Sequence, residues 1–272
     1  MINYNYTGSK IIKSNCKIIL KDYKHIMLMS LTIKTYLTPS IPEEIFQIIA
    51  NYLEEKCQVP VRLILETTSS GPKKGESIKE DLSFMCTPPY YWLNDSFPDE
   101  IELLPYAPVF NDKRNNNQPL YFSDILVHPD SKIGSLDDLN NDRWAYNDTE
   151  SLSGYFCIKN YMNRIEMICS GSHLNSIKMV TNKEVDITCI DSNVLPFVKH
   201  NLKLIGTFGP HPVQPGVLNK NSKYKEKIIR AFEDINNHQV IKELNKYHIN
   251  KFEEVNNDFY FKRYSIRSLL EI

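Results

Sequence analysis

The first third of the chain alternates between strand-like and helix-like spacing of apolar residues. Residues 28–36 alternate apolar and polar positions, which predicts a short strand. Pro42 then precedes a run with apolar residues at helical spacing, so a helix is predicted to begin there; those residues are Ile45, Phe46, Ile48, Ile49, Tyr52 and Leu53. Residues 59–65 resemble a second strand. The order strand, helix, strand predicts a βαβ unit.

The same alternation continues beyond this unit. Further strands are predicted at residues 82–86, 121–127, 144–146, 185–190 and 203–208. Helices are predicted from Tyr155 to Met162, after Ser172, and over residues 223–236. Residues 110–118 are the most polar stretch in the middle of the chain and suggest a loop at a domain boundary. The pattern as a whole predicts an α/β fold with mostly parallel sheets.

Composition narrows the class of protein. The 272 residues are 42% hydrophobic and 24% charged, which is typical of a globular protein with a substantial core. The formal net charge is −1, and no long block of one sign suits a nucleic acid or an anionic membrane surface. We therefore expect neither nucleic-acid binding nor a membrane span.

The cysteines and the N-terminal residues bear on location. The six cysteines are scattered and form no CxxC pair, which favours reduced, buried thiols. Lysines interrupt every apolar run near the N-terminus, so no export signal is predicted. The expected location is the cytoplasm, or the periplasm or extracellular space if an export segment precedes this sequence. Residues 1–27 are interpreted as a leader or an added edge element.

Common catalytic and cofactor motifs are missing from the sequence. It contains no GxxxxGK[ST], GxGxxG or GxSxG, and His128, His173, His200 and His211 lack the spacing of a zinc set. Cys86 or Cys189 could pair with His173, but buried inert cysteine is the favoured interpretation. We predict no catalytic residue, no metal and no cofactor.

Small polar residues follow three predicted strands. They lie at residues 148–153, 170–173 and 191–192. In open α/β sheets ligands bind at the carboxyl ends of strands, and helix N-termini offer unpaired N–H groups to an oxyanion. The alternative is that these residues are only helix caps, since serine and aspartate are preferred there.

The order of these motifs resembles the phosphonate-binding, PhnD-like family of solute receptors of ABC transporters. The resemblance spans residues 28–236 and rests on Tyr36, Cys86-Thr87-Pro88, Tyr90, residues 131–139, 147–155, 170–173, Val185-Asp186 and 190–192. It implies a type II periplasmic-binding-protein fold with a ligand cleft between two lobes. Residues 28–120 and 206–272 would form the first lobe, and residues 121–205 the second.

The resemblance also implies a set of ligand-binding residues. They are Tyr36, Thr87, Tyr90, Asp148, Ser151, Ser153, Gly154, Tyr155, Ser172, His173 and Asp191. Leu152 and Leu174 depart from the family pattern, and at Leu174 aminophosphonate binders have an acid. An aminoalkylphosphonate is therefore not the expected ligand.

Three hypotheses follow. The leading one is a monomeric solute-binding protein that clamps a small anionic, phosphonate-like or phosphate-like ligand without catalysis, with an ABC permease as partner only if the protein is exported. The second is a cytosolic enzyme on the same fold, acting on a small phosphorylated or carboxylated metabolite, with His173 and Asp191 as acid and base. The third is a degenerate relative that binds a protein partner, with Leu152 and Leu174 filling the cleft. The aromatic tail at residues 250–272 is expected to pack on the first lobe.

Overall fold

The computed structural model describes residues 30–270, so the predicted leader at residues 1–27 lies outside the described residues. The strands are β1 (Leu31–Thr35), β2 (Val61–Leu65), β3 (Leu82–Phe84), β4 (Ile101–Leu103), β5 (Tyr106–Phe110), β6 (Leu120–Val127), β7 (Asp142–Tyr146), β8 (Ile165–Cys169), β9 (Ile187–Asp191), β10 (Lys203–Pro212), β11 (Gly216–Asn219) and β12 (Ile249–Glu254). The α-helices are α1 (Glu43–Cys57), α2 (Thr87–Ser96), α3 (His173–Thr181), α4 (Lys225–Asp234), α5 (Val240–Leu244) and α6 (Arg267–Leu270).

The described residues also form 3₁₀-helical and π-helical segments. The 3₁₀ turns are Lys113–Asn115, Leu136–Asp138, Phe156–Arg164, Leu195–Phe197, Ile235–Asn237 and Asn245–Tyr247, and a π-helical turn spans Phe259–Arg263. The segment predicted as a helix from Tyr155 to Met162 is therefore a 3₁₀ helix, and β8 follows it directly. Within residues 30–270, no helix is long and apolar enough to cross a bilayer.

The first sheet has the strand order β2-β1-β3-β11-β4. The predicted βαβ unit is present, because β1 and β2 pair in parallel and α1 connects them. Pro42 occupies the N-cap position of α1, whose apolar face packs into the core. The Tyr52 hydroxyl donates to the Ala231 carbonyl of α4 at 2.6 Å. We call this sheet with α1, α2, α4 and α5 the first lobe.

The second sheet has the order β10-β6-β9-β7-β8 and, with α3, forms what we call the second lobe. Its core includes the fully buried Trp144 and Ile187. β10 pairs with β6 as far as Pro212, so the sequence boundary between residues 205 and 206 falls inside this strand. Residues 111–119 and 213–215 are the segments that cross between the sheets, and β12 pairs with β5 beside them.

The α/β class is as predicted, but the sheets are mixed rather than mostly parallel. Among the described strand pairings, four are parallel and five antiparallel. Four of the antiparallel pairings involve β6, β10 or β11, and the fifth joins β12 to β5. Both five-stranded sheets therefore contain parallel and antiparallel pairings.

The C-terminal segment contacts both lobes. Ile266 belongs to a buried cluster with Cys86, Tyr91, Tyr121, Leu152, Phe156 and Cys157, which we call the interlobe cluster. The Ile266 amide donates to the Tyr91 hydroxyl at 3.3 Å, and α6 contacts the 3₁₀ helix Phe156–Arg164. The tail thus packs on the first lobe, as expected, and also reaches the second.

Candidate functional site

A small polar cavity lies between the two lobes. Its volume is about 40 Å³, enough for roughly three water-sized groups. The second lobe contributes the turn after β7 and the start of α3, and the first lobe contributes residues 36–41 and the loop after β2. Seven predicted site residues line it: Tyr36, Asp148, Ser151, Ser153, Ser172, His173 and Asp191. The segments at the ends of β7, β8 and β9, which we expected to lie close together, all contribute to the lining of this cavity.

The turn at residues 147–154 is held by its own side chains. The Ser151 hydroxyl accepts a hydrogen bond from the Gly154 amide at 3.2 Å. A Cβ at Gly154 would lie 1.9 Å from Asn147 Oδ1, so only glycine fits this close approach. Gly154 therefore shapes the turn and does not line the cavity.

The start of α3 presents a second serine. Ser172 is the N-cap of α3, and its hydroxyl accepts from the Asn175 amide at 3.1 Å. Capping and ligand binding are compatible, because a hydroxyl has two acceptor positions and one proton to donate. The Ser151 and Ser172 hydroxyls each keep that proton while accepting a backbone N–H.

His173 joins the two turns. Its Nε2 lies 3.2 Å from the Ser153 hydroxyl, while its buried Nδ1 has no hydrogen-bond partner among the described residues. Burial lowers the pKa of His173 to about 4, so the ring is neutral at pH 7. In either tautomer the pair retains one proton to donate, on Ser153 Oγ or on Nδ1.

Asp191 is a buried carboxyl at the end of β9. It accepts from the Asn193 amide at 2.8 Å and from the Gln214 side-chain amide. Burial, with only 1% of the residue exposed, raises its pKa to about 7. Gln214 lies on the second crossing segment. Its hydrogen bond to Asp191 therefore links one wall of the cavity to the connection between the lobes.

Asp148 connects the lobes directly. Its Oδ2 accepts from the Ser70 hydroxyl of the first lobe at 2.6 Å and from Asn147 Nδ2 at 2.7 Å. Its Oδ1 accepts from the Glu150 amide at 2.9 Å. Burial raises the pKa of Asp148 to about 6. Within the described chain, no lysine or arginine lines the cavity to balance the two aspartates.

Four predicted site residues lie outside the cavity lining. Besides Gly154, these are Thr87, Tyr90 and Tyr155. Thr87 is fully buried at the start of α2, and the Tyr90 hydroxyl donates to Asn257 at 2.6 Å while its ring packs on Tyr260 and Phe261. Tyr155 packs against Tyr146, with ring centroids 5.3 Å apart. These side chains support the walls from behind.

Sequence reasoning missed several lining residues, among them Ser70, Asn147 and Gln214. Asn147 stands inside a motif that was recognised, but Ser70 and Gln214 stand in a polar loop and a crossing segment without a motif of their own. Their role depends on long-range contacts, since Ser70 and Asp148 are 78 positions apart.

The degenerate-relative and enzyme hypotheses each require particular side chains in the cavity. The hypothesis of a degenerate relative requires Leu152 and Leu174 to fill the cleft. Instead, Leu152 belongs to the interlobe cluster, Leu174 packs against the largest hydrophobic core, and neither residue lines the cavity. Burial raises the pKa of the Cys86 and Cys189 thiols far above neutrality, so neither is the thiolate that a nucleophile must be. Among the described residues, no cluster of three metal-ligating side chains occurs.

Two α/β lobes joined by crossing segments, with a cavity of hydroxyl donors between them, define a two-lobed solute-binding protein. A sequence model of the ABC transporter phosphonate periplasmic substrate-binding proteins matches residues 31–260. The chain belongs to this family. No curated protein matches the chain.

Solved structures show the same fold. The binding protein component of an ABC phosphonate transporter from Pseudomonas aeruginosa is similar with a TM-score of 0.72 and 18% identity, over 89% of this chain and 85% of that one. PhnD1 from Prochlorococcus marinus in complex with methylphosphonate has a TM-score of 0.66 and 14% identity, over 89% and 97%. An ancestral amino acid-binding protein, a precursor of cyclohexadienyl dehydratase, is similar with a TM-score of 0.57 and 14% identity, over 86% of this chain and 99% of that one.

Family membership decides among the hypotheses. The predicted family, the type II periplasmic-binding-protein fold and the solute-binding function are confirmed, and the enzyme hypothesis is wrong because the family is a substrate-binding component. The family is described as periplasmic, so the cytoplasmic prediction is not supported. A small ligand and an ABC transporter are the partners that the family implies.

Proposed function

We propose that the cleft binds a small phosphonate-like oxyanion in its singly ionised form and delivers it to the permease of an ABC transporter outside the cytoplasm. The observation that carries the proposal is the convergence of Ser151, Ser153, Ser172 and His173 on one cavity. All four come from two turns of the second lobe. The oxyanion would therefore bind to the second lobe.

The donors of the cavity are uncharged. The Ser151 and Ser172 hydroxyls are positioned by the amide hydrogen bonds that they accept, and Ser153 by His173. Hydrogen bonds from neutral donors to a charged group contribute about 1.5 to 3 kcal/mol each. The N-terminus of α3 adds the positive end of its dipole, which favours an anion.

The aspartates select the charge of the ligand. A doubly charged oxyanion would meet Asp148 and Asp191 without a lysine or arginine among the described lining residues to offset the repulsion. A singly ionised oxyanion has a P–OH group to donate, and an ionised Asp191 oxygen accepts such a donor. The cavity volume of about 40 Å³ suits a compact ligand better than a sugar phosphate.

The two-lobe arrangement implies closure around the ligand. We propose that the first lobe comprises residues 30–110 and residues 216–270, with the segments at 111–119 and 213–215 as hinges. The Ser70 hydrogen bond to Asp148 would form as the lobes meet. A monomer is sufficient for this mechanism, since both walls of the cavity come from one chain.

Titration calorimetry with methylphosphonate, phosphite and phosphate tests the proposal. Ser153→Ala removes one donor to the anion, so its affinity should fall about tenfold or more. Ser135→Ala is the matched control, because Ser135 caps a 3₁₀ turn remote from the cavity. Absence of binding by all three ligands, or equal affinities of wild type and Ser153→Ala, would contradict the proposal.

A further inference from the structure

The second crossing segment passes from one lobe to the other at a single residue. The Val213 amide donates to the Pro119 carbonyl at 2.8 Å, which continues the ladder between β10 and β6 of the second lobe. The Pro215 carbonyl accepts from the Met85 amide at 3.3 Å, directly before β11 pairs with β3 of the first lobe. Gln214 lies between these two contacts. On this segment, a rotation of the lobes is therefore absorbed in the backbone at Gln214 and its two neighbours.

The side chain of this hinge residue reaches the ligand cavity. Gln214 is 8% exposed, lines the cavity and donates its side-chain amide to Asp191. Asp191 is fixed to the second lobe, because it ends β9 and its other oxygen accepts from the Asn193 amide. One end of the hydrogen bond thus belongs to the hinge and the other end to the second lobe. A change in the hinge torsion angles re-aims the Gln214 side chain relative to Asp191.

The hydrogen bond has two stable arrangements. In the described structure both side chains are buried, and a buried polar group that loses its partner is unfavourable. The glutamine side chain can donate through its N–H group or accept through its carbonyl, so it matches Asp191 whether that carboxyl is ionised or protonated. Separation is favourable only where water replaces the lost partner on both groups, which requires an open cavity.

We propose that Gln214 is a positioning residue that couples the hinge to the ligand cavity: its hydrogen bond to Asp191 forms as the lobes close and is exchanged for water as they open. This inference rests on the proposed function, since it takes the closure of the lobes around the oxyanion from it. The closed form therefore requires a matched hydrogen-bonding pair at positions 191 and 214, in either orientation.

Small-angle X-ray scattering and calorimetry with methylphosphonate, phosphite and phosphate test the coupling. The radius of gyration of the wild type should decrease when it binds the oxyanion. Gln214→Met keeps the length of the side chain but removes the hydrogen bond, so the variant should bind at least tenfold more weakly and contract less at saturating ligand. Gln118→Met is the matched control, because Gln118 lies on the other crossing segment and does not line the ligand cavity. It should behave like the wild type.

Gln214→Glu provides a readout that a purely packing role would not move. Two carboxyls in contact cannot both be ionised at low cost, so the closed form of this variant has to hold a shared proton. Its affinity relative to wild type should fall at least tenfold between pH 5.5 and pH 8, because closure then requires proton uptake. Other titratable groups surround the pair, and the ratio to wild type at each pH corrects for them. They are Tyr36, Cys86, Asp148 and His173 in the cavity, Tyr121 and Asp124 on β6, Cys189 on β9 and His211 on β10.

A double variant restores the pair with its polarity reversed. Asp191→Asn combined with Gln214→Glu places the amide on the second lobe and the carboxylate on the hinge, and the hydrogen bond between them needs no proton. The double variant should contract with ligand at pH 8, where Gln214→Glu alone does not. Thermal melts of all variants show that each is folded under the conditions of the measurement.

The outcomes separate this inference from the proposed function. If Gln214→Met binds and contracts like the wild type, or if the double variant contracts no more than Gln214→Glu at pH 8, the coupling is overturned and the proposed function stands. If wild type binds an oxyanion without any contraction, closure around the ligand is wrong and the coupling fails with it. If wild type binds none of the three oxyanions, both the proposed function and the inference are overturned.

Discussion

Replacing Asp191 with asparagine tests the electrostatics of the cavity floor. The carboxyl is buried, and each oxygen already accepts one hydrogen bond, from the Asn193 amide and from the Gln214 side chain. Asparagine has nearly the same shape as a protonated aspartate, and Gln214 can present its carbonyl in place of its amide group. Asp191→Asn therefore removes the charge while keeping the packing.

The sign and size of the effect follow from the pKa. Burial raises the pKa of Asp191 from an ordinary 3.8 to about 7 in the folded protein. Between these values the unfolded chain has released its proton while the folded chain keeps it, so stability falls as pH rises. Roughly three pH units at about 1.4 kcal/mol each give about 4 kcal/mol. In the wild type, Asp191 therefore destabilises the folded state most above pH 7, where its buried carboxylate is ionised.

Urea unfolding of the wild type and Asp191→Asn at pH 4, 6 and 8 measures this quantity. The difference between the two proteins is the informative number, because His173 and His211, whose pKa values burial lowers to about 4, contribute equally to both. We expect the two proteins to be similarly stable at pH 4 and the variant to be about 4 kcal/mol more stable at pH 8. Asp99→Asn, at an exposed position, controls for the change in net charge. A difference between wild type and Asp191→Asn that stays constant from pH 4 to pH 8 would refute the reasoning.

Two further substitutions test the turn at residues 147–154 and the ion pair between Arg114 and Asp124. Gly154→Ala brings a Cβ into Asn147 Oδ1 and should lower the free energy of unfolding by about 1 to 3 kcal/mol. Gly134→Ala, where the nearest contact is an ordinary 3.4 Å, should change it far less, and thermal melts compare the two. Arg114→Leu leaves Asp124, whose side chain is 5% exposed, without its guanidinium partner at 2.8 Å. It should cost about 3 kcal/mol in urea unfolding, the low end of the range because Arg114 is 39% exposed. A second change, Asp124→Asn, should recover much of that loss, and no recovery would argue against an unpaired charge as the cause.

The elements that were predicted correctly have strong local patterns. The apolar face of α1 repeats at helical spacing, and Ser172 stands directly before α3 as a preferred cap residue. By contrast, β8 and β12 mix charged and apolar residues, and β11 has only four residues. Their pairing partners stabilise them, so the local sequence carries little signal. The prediction of mostly parallel sheets was wrong because strand direction depends on which distant strands pair, and local periodicity does not encode that pairing.

The candidate site was predictable only where local chemistry marks it. Ser151, Ser153 and Ser172 lie in turns that a hydroxyl stabilises, whereas Gln214 reaches Asp191 through the tertiary fold. Tyr90, a tyrosine at the start of a helix, matches the family pattern, but its ring packs on the C-terminal tail and lies outside the cavity lining. Motifs locate the turns, and the fold decides which side chains face the ligand.

The interlobe cluster makes ligand exchange depend on the packing of the protein itself. In the proposed closure mechanism, opening the cleft separates Leu152 and Phe156 from Cys86 and Tyr91, which exposes apolar surface whichever ligand is bound. This contribution to the barrier is the same for every ligand. It sets a common upper limit on the dissociation rate constant, so the residence time of even a weakly held oxyanion is bounded by how fast these side chains come apart.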